Sequence, residues 1–320
     1  MAELSVIVVN WNGRHLLADC LTSLRSQSLK NIEVILVDNG STDDSVTHVR
    51  REYPEVRVLC LDRNYGFATA NNRGIESSSL EFIALLNNDA VAAEDWAARL
   101  LDAAMQSGAG IVASKVILHA DRKLLDSAGD GMTTVGVACK RGHREPPDRF
   151  AVMERVFGAS GCAMLLRRSM LADIGLLDDD FFLLYEDADL CFRAQLRGWR
   201  CIYAPEAVVY HKLNSSIGRL SRTHVYHGQR NVEYLYFKNM PGRLLWKYLL
   251  PHALNDLLAL LYFASRGAFW SFIRGKADFL RRLREVMRKR KRIQARRKVN
   301  CADIDCMLER RWLRARLAGK

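Results

Sequence analysis

Three apolar runs in this chain each break off at a polar side chain. Leu4-Ser5-Val6-Ile7-Val8-Val9 stops at Asn10, and Ile32-Glu33-Val34-Ile35-Leu36-Val37 stops at Asp38. Phe82-Ile83-Ala84-Leu85-Leu86 stops at Asn87-Asn88-Asp89. Apolar runs of this length, bounded by polar residues, read as strands buried on both faces. The segments between them are helical in pattern. Leu16, Leu17, Cys20, Leu21 and Leu24 share one face, residues 43–53 run helically up to Pro54, and a further helix holds Ala70, Asn71, Asn72 and Gly74 after a strand at 56–61. Strands alternating with helices predict βαβ units, hence an α/β, Rossmann-like, mainly parallel sheet flanked by helices. Ligands of such sheets bind just beyond the carboxyl ends of the strands. One strand ending in Asp is usually a solvated turn or a helix cap. Three strands delivering hydrogen-bonding side chains at the same end predict a site.

Two common nucleotide folds are excluded. A dinucleotide-binding domain needs G-x-G-x-x-G after the first strand, and the turn here is Asn10-Trp11-Asn12-Gly13-Arg14. No G-x-x-x-x-G-K-[ST] occurs, so there is no P-loop. Beyond the third strand, Trp96, Leu100, Leu101 and Met105 predict a helix and residues 110–117 a strand. Residues 119–155 are polar and glycine-rich, and read as an irregular insertion with a small hairpin and a mobile loop. Gly158-Ala159-Ser160-Gly161 then leads into an apolar strand at 162–166. The run Phe181–Tyr185 reads as another buried strand, followed at once by Glu186-Asp187-Ala188-Asp189 and a helix ending at Gly198. Helix-start electrostatics accounts for carboxylates there, but not for their position on the ligand side. A short strand, Ala207-Val208-Val209-Tyr210, ends at His211.

Charge divides the chain. Residues 241–320 carry 21 Lys and Arg against 6 Asp and Glu, whereas residues 1–240 carry 27 against 30. The basicity belongs to a C-terminal region, so no nucleic-acid partner is expected for the globular part. Residues 244–273 are rich in Leu and aromatics but broken by Lys247, Pro251, Asp256 and Arg266, too short of ~20 unbroken apolar residues to cross a bilayer. Residues 281–298 hold eleven Lys and Arg. An apolar aromatic helix followed by a polybasic one predicts a pair lying on an anionic membrane surface through 244–298. The alternative is a core-packed helix with a basic tail that touches RNA. Eight scattered cysteines without a C-x-x-C pair suit a reducing cytosol, and the N-terminus shows no secretory pattern. The expected location is cytoplasmic, peripheral on the inner face of the plasma membrane.

Taken together, Val6-Ile7-Val8-Val9-Asn10-Trp11-Asn12, Val37-Asp38-Asn39-Gly40-Ser41-Thr42-Asp43, Asn64-Tyr65-Gly66-Phe67-Ala68 with Asn71-Asn72, Leu85-Leu86-Asn87-Asn88-Asp89, Tyr185-Glu186-Asp187-Ala188-Asp189-Leu190 and His211 resemble the family-2 glycosyltransferases, most closely a bacterial, rhamnosyltransferase-like branch. The resemblance covers about residues 3–240. It implies the GT-A fold over residues 1–240, beside the amphipathic and polybasic helical region that composition gives for 241–320, and an inverting, metal-dependent transfer of a sugar from a nucleoside diphosphate sugar to a lipid-linked saccharide. It implies a divalent cation, Mg²⁺ or Mn²⁺, at Asp89 and His211. Asp89 matches the last carboxylate of the family's D-x-D motif, whose first position here is the neutral Asn87. Asp187 matches the general base and Asp38 the residue that reads the pyrimidine. Asn10, Asn12, Asn64 and Asn88 become nucleotide or sugar contacts, and Arg230 a diphosphate contact.

The donor suggested is dTDP-rhamnose, with a UDP-hexose close behind, and the setting is cell-wall or O-antigen polysaccharide synthesis. A sugar nucleotidyltransferase would want a glycine- and base-rich loop after the first strand, for which Asn12-Gly13-Arg14 is poor. A non-catalytic membrane-bound basic protein is the third reading.

Overall fold

The structure, a computed structural model, describes residues 3–213 and 221–313. The final residues of the predicted C-terminal region, 314–320, lie outside the described residues. The chain runs β1 (Leu4–Asn10), α1 (Arg14–Arg25), β2 (Ile32–Asp38), α2 (Ser45–Glu52), β3 (Arg57–Cys60), α3 (Phe67–Ser77), β4 (Phe82–Asn87), β5 (Ala90–Ala92), α4 (Trp96–Ser107) and β6 (Ile111–Leu118). It continues through β7 (Leu125–Ala128), β8 (Asp130–Thr133), β9 (Ala138–Lys140), β10 (Glu154–Val156), β11 (Ala163–Arg167), α5 (Arg168–Ile174), α6 (Glu186–Arg197) and β12 (Cys201–His211). The C-terminal part is α7 (Arg222–Asn239), α8 (Gly242–Lys247), α9 (Leu249–Ser265), α10 (Phe269–Ala295), α11 (Cys301–Met307) and β13 (Leu308–Glu309).

The main sheet has the order β10-β12-β6-β11-β4-β1-β2-β3. β3, β2, β1 and β4 are parallel, as are β6 and β12, while β11 runs antiparallel between β4 and β6. The sheet is therefore mixed. The parallel half is the one built by βαβ crossovers; β11 arrives from the 119–162 segment without a crossover helix and enters the other way. Side-chain alternation sorts the two cores. Val6 and Val8 join Leu17, Leu21, Trp96 and Leu100 beneath α1 and α4. Ile7, Ile35 and Leu85 join Ile75, Met170 and Leu190 beneath α3, α5 and α6.

Three expectations change. The 119–155 segment contains the β8–β9 hairpin, but it is not merely irregular, because Leu125–Ala128 pairs with β6 and is buried throughout. Phe181–Tyr185 is not a strand. Phe182, Leu184 and Tyr185 have φ of 58°, 70° and 70°, a left-handed turn that pattern alone cannot distinguish from a buried strand. The C-terminal helices are anchored in a third core, where Phe279, Val286, Ile304 and Leu308 meet Phe157, Phe192 and Tyr234. β13 pairs with β8, so residues 308–309 extend the β8–β9 hairpin into a three-stranded sheet.

Part of the polybasic run is turned inward. Lys289 binds Asp178 and Asp180, Arg290 donates to the carbonyls of Phe237 and Met240, and Arg296 pairs with Asp173. The deepest charges join α6 to α7: Asp189 accepts from Arg193 Nε at 2.9 Å, Lys238 Nζ at 2.7 Å and Asn239 Nδ2 at 2.6 Å, with Asp189 and Lys238 both buried. Removing Asp189 leaves the buried Arg193 without a carboxylate and Lys238 with Asp178 alone. Asp189→Ala is expected to lower unfolding free energy by about 3–5 kcal/mol, read as a drop in the chemical-denaturation midpoint; a midpoint equal to wild type would refute the assignment.

Candidate active site

Parallel pairing puts Asn10 opposite Asp38 and Val9 opposite Asn87 at one edge of the sheet. The polar tips there are joined. Asn10 Nδ2 donates to Asp38 Oδ1 and to Ser41 Oγ, both at 3.2 Å, and Asn10 Oδ1 accepts from Asn88 Nδ2 at 2.9 Å. The Ser41 amide donates to Asp38 Oδ2 at 3.0 Å. Asn12, with φ of 51°, accepts from the Thr42 amide at 2.7 Å through Oδ1. Asn64 Oδ1 accepts from Asn39 Nδ2 at 3.0 Å and from the Gly66 amide at 2.8 Å, so it shapes the loop beside the cleft. Gly66 has φ of 87°, and a Cβ there would lie 2.5 Å from the Phe182 carbonyl oxygen, so this close approach demands glycine.

Asp89 follows Asn88 directly. Its Oδ1 lies 3.2 Å from His211 Nε2, and His211 Nδ1 lies 2.9 Å from Asp126 Oδ2. Asp89, His211 and Asp126 are all buried. Burial would raise the Asp126 carboxyl, but hydrogen bonds from His143 and His211 and the charge of Lys140 hold it well below the usual carboxylate range. A carboxylate behind a histidine fixes the ring's tautomer and orientation and raises its basicity toward a metal. Asn87 Oδ1 is buried without a hydrogen-bond partner, an orphaned acceptor at the first D-x-D position. Carboxylate, amide oxygen and imidazole are a donor set that fits a divalent cation.

Asp187 opens α6. Its Oδ2 accepts from the Gly161 amide and its Oδ1 from the Ala188 amide, each at 2.7 Å. Burial raises its pKa, opposed by these amides and by Lys140. The next residue after Gly161, Cys162, has its thiol against His211, and its carbonyl accepts from the Asn87 amide at 2.8 Å. The residues thus form one connected locus: Asp38–Asn10–Asn88 leads to Asp89–His211–Asp126, and Asn87–Cys162–Gly161 leads to Asp187. A cavity of about 430 Å³ opens on Asp187, Glu186, Asp130, Lys140, Ser160 and Phe263, among others.

The three carboxylates of Glu186-Asp187-Ala188-Asp189 part company. Asp187 is on the cavity and Asp189 is locked into the α6–α7 network. Glu186 is buried with Oε2 unpaired. Burial first, then Asp187 and Asp189, push its carboxyl up to about 8. Asp130, half-buried and facing Asp187, is pushed up to about 7 by desolvation and by the Asp187 charge.

Arg230 does not present its guanidinium as an open diphosphate contact. It donates to the carbonyls of Asp180 and Phe181 and approaches Asp278. Its neighbour Asn231 donates to the carbonyls of Phe181, Leu183 and Leu184. Both side chains hold the left-handed turn that delivers Asp187. Non-glycine residues in that region cost of order 1–3 kcal/mol each and persist only when held. Sequence reasoning missed Asp126 and Asp130, which lie in the segment read as irregular; the one available signal was Leu125-Asp126-Ser127-Ala128, a short run opposite β6.

The profile described as Glycosyl transferase family 2 matches residues 5–175. The chain is 29% identical over 245 residues to the N-acetylglucosaminyl-diphospho-decaprenol L-rhamnosyltransferase of Mycobacterium tuberculosis, covering 69% of this chain and 80% of that one. It is 34% identical over 116 residues to glycosyltransferase GlyG of Streptococcus pneumoniae, 35% of this chain and 38% of that. Among solved structures it resembles GalNAc-T7 with UDP, GalNAc and Mn²⁺ (TM-score 0.59, 17% identity), covering 74% of this chain and half, 50%, of that one. It also resembles S. aureus TarS 1–349 with UDP (TM-score 0.54, 17% identity), covering 77% of this chain and 70% of that one. The chain belongs to glycosyl transferase family 2, and its fold is that of the GT-A glycosyltransferases.

Proposed function

We propose that this protein is an inverting, metal-dependent glycosyltransferase that moves a sugar, rhamnose first, from a nucleoside diphosphate donor to a lipid-linked saccharide in cell-surface polysaccharide synthesis. The observation that carries the reading is the connected locus that runs from Asp38 through Asp89 and His211 to Asp187. Asp38 takes the pyrimidine edge, with Asn10 holding its carboxylate in place, while Asn12, Asn64 and Asn88 fix the loops around the nucleotide. Asp89 and His211, with Asn87 Oδ1, are the side chains that hold the cation. A bound divalent ion neutralises charge on the departing diphosphate as a Lewis acid. Asp187 accepts the proton of the attacking hydroxyl, and its raised pKa makes it a better base near neutrality. With Asp187 acting as base on the acceptor hydroxyl, that hydroxyl attacks the anomeric carbon directly and the configuration inverts. The M. tuberculosis relative supports rhamnose and a lipid diphosphate-linked acceptor, and a UDP-hexose is the second donor. Transfer assays across dTDP- and UDP-sugars, with and without Mn²⁺, test this; no transfer or donor turnover from any of them refutes it.

Residues 1–240 act in this reading as the transferase unit and 241–320 as the region that meets the inner face of the plasma membrane. No described helix is long and apolar enough to cross a membrane. Trp246, Leu250, Leu254, Leu257 and Leu261 are 73%, 80%, 47%, 52% and 59% exposed and recur at helical spacing along α8 and α9. Exposed Arg243, Lys247 and Arg266 accompany them. Such an apolar stripe with basic neighbours suits an anionic lipid surface, and Phe263 of the same α9 lines the Asp187 cavity. A Leu250→Glu/Leu254→Glu/Leu257→Glu variant is expected to lose at least about tenfold in affinity for phosphatidylglycerol vesicles. Unchanged sedimentation with vesicles would remove the stripe from the account.

A further inference from the structure

We propose that a second cavity, next to that of Asp187, is the subsite for the phosphate end of the acceptor, with Arg155, His143 and Lys140 as its anion-binding side chains. This assignment rests on the transfer reading above and deepens it.

The cavity, about 900 Å³, lies between the β8–β9 hairpin, β10 and the Cys306–Glu309 segment. It shares Asp130, Ala138, Cys139, Lys140 and His224 with the Asp187 cavity, so one ligand can extend from the base into it. Its wall carries Lys140, Arg141, His143, Arg155 and Arg311 beside the carboxylates of Asp130 and Glu309. Arg141 is satisfied by Glu154 and by the Ala128 carbonyl. Lys140 Nζ lies 2.5 Å from Asp126 Oδ1 and His143 Nδ1 lies 3.5 Å from the same oxygen, while His211 takes Oδ2. Asp126 thus contacts three basic side chains, with Asp130 a second carboxylate near Lys140 and the Asp126 carbonyl 3.0 Å from His143 Nδ1. Arg155 touches Gln195 Oε1 at 3.1 Å and Met307 Sδ at 3.8 Å. Among the described residues it has no carboxylate partner, although it lines the cavity. A guanidinium without a carboxylate partner, on a wall that also holds a lysine and a histidine, favours phosphate.

The donor diphosphate belongs with Asp89 and His211 on the far side of Asp126. An anion beyond Lys140 therefore belongs to the acceptor, and it sits on the acceptor sugar whose hydroxyl faces Asp187. The chemical class is a glycosyl phosphate or diphosphate. Membrane phospholipid headgroups share the phosphate chemistry, and a membrane-free assay separates the two sources.

The test uses the full chain and two soluble acceptors of the same sugar: a short-prenyl diphosphate and an octyl glycoside without phosphate. A charge-assisted hydrogen bond contributes roughly 10–100-fold. Wild type should therefore prefer the diphosphate by about 100-fold in kcat/KM, and Arg155→Gln should cut that preference about tenfold, through acceptor KM. Arg155→Lys should restore most of it. Nucleotide binding by calorimetry reports that each variant is folded, and His143→Gln carries the same comparison if Arg155→Gln does not fold. Equal use of both acceptors by wild type, or an Arg155→Gln variant that binds nucleotide and keeps the full preference, overturns the subsite. A preference that appears only with vesicles present assigns the phosphate to lipid headgroups and overturns it too. Wild type that transfers to neither acceptor defeats the transferase reading first, and the subsite with it.

Discussion

Asp187→Asn is expected to lower kcat by roughly 10³-fold, within the 10²–10⁴ typical for loss of a general base, while donor affinity stays within about twofold. The carboxylate accepts from the Gly161 and Ala188 amides; a near-isosteric asparagine keeps one of these bonds, and Arg230 and Asn231 still hold the turn that carries it. Wild type and Asp187→Asn differ in whether the acceptor proton has somewhere to go. The pH profile gives an independent readout. The groups facing Asp187 are Glu186 and Asp130, which repel its charge, and Lys140, which favours it. Burial leads, and the net direction is upward. The base works only when deprotonated, so wild-type kcat should fall as pH drops through a value above the usual aspartate range. That acid limb should vanish in Asp187→Asn. A variant with wild-type kcat would remove Asp187 from the chemistry.

Asp89→Ala should be as damaging for a different reason. The Lewis-acid contribution of a diphosphate-bound cation is several kcal/mol, so transfer should fall by roughly 10³-fold or more. Activity alone does not separate a lost ligand from a collapsed cleft, so the deciding readout is metal binding. Electron paramagnetic resonance should show Mn²⁺ bound to wild type with nucleoside diphosphate present, and little bound to Asp89→Ala. Asp126→Asn touches no metal directly. It leaves His211 without the carboxylate on Nδ1, and an outer partner of this kind is worth about 10–100-fold in metal affinity. An order in which Asp126→Asn hurts more than Asp89→Ala would contradict the arrangement.

The parallel half of the sheet was legible because β1, β2 and β4 are buried on both faces, and a continuous apolar run can then report a strand without alternation. The same logic misled at Phe181–Tyr185. An apolar run carries no record of φ, and this one is bent by Asn231 and Arg230, which lie some fifty residues later in α7. Arg230 was read as a phosphate contact because a sequence shows the guanidinium but not the backbone carbonyls that occupy it. Asp126 was hidden for a related reason. Its meaning comes from the His211 ring brought to it by β12 pairing with β6, a contact across 85 positions. The convergence of Asn10, Asp38, Asn88, Asp89 and His211 on one edge was readable because strand ends in a parallel sheet align.

The polybasic run is only partly a free basic surface. Composition counts charges, but Lys289, Arg290 and Arg296 clamp α10 to the rest of the protein. The stripe from Trp246 to Leu261 is the stronger feature, and it emerges only when burial sorts which leucines face outward.

The central claim is a direct displacement at the anomeric carbon, with Asp187 as base and a nucleoside diphosphate as leaving group. The measurement that meets it head-on is NMR of the product formed from an anomerically defined donor, with the released nucleotide identified alongside. Inverted anomeric configuration with nucleoside diphosphate as co-product is the result predicted. Retained configuration, or release of inorganic pyrophosphate, would contradict it.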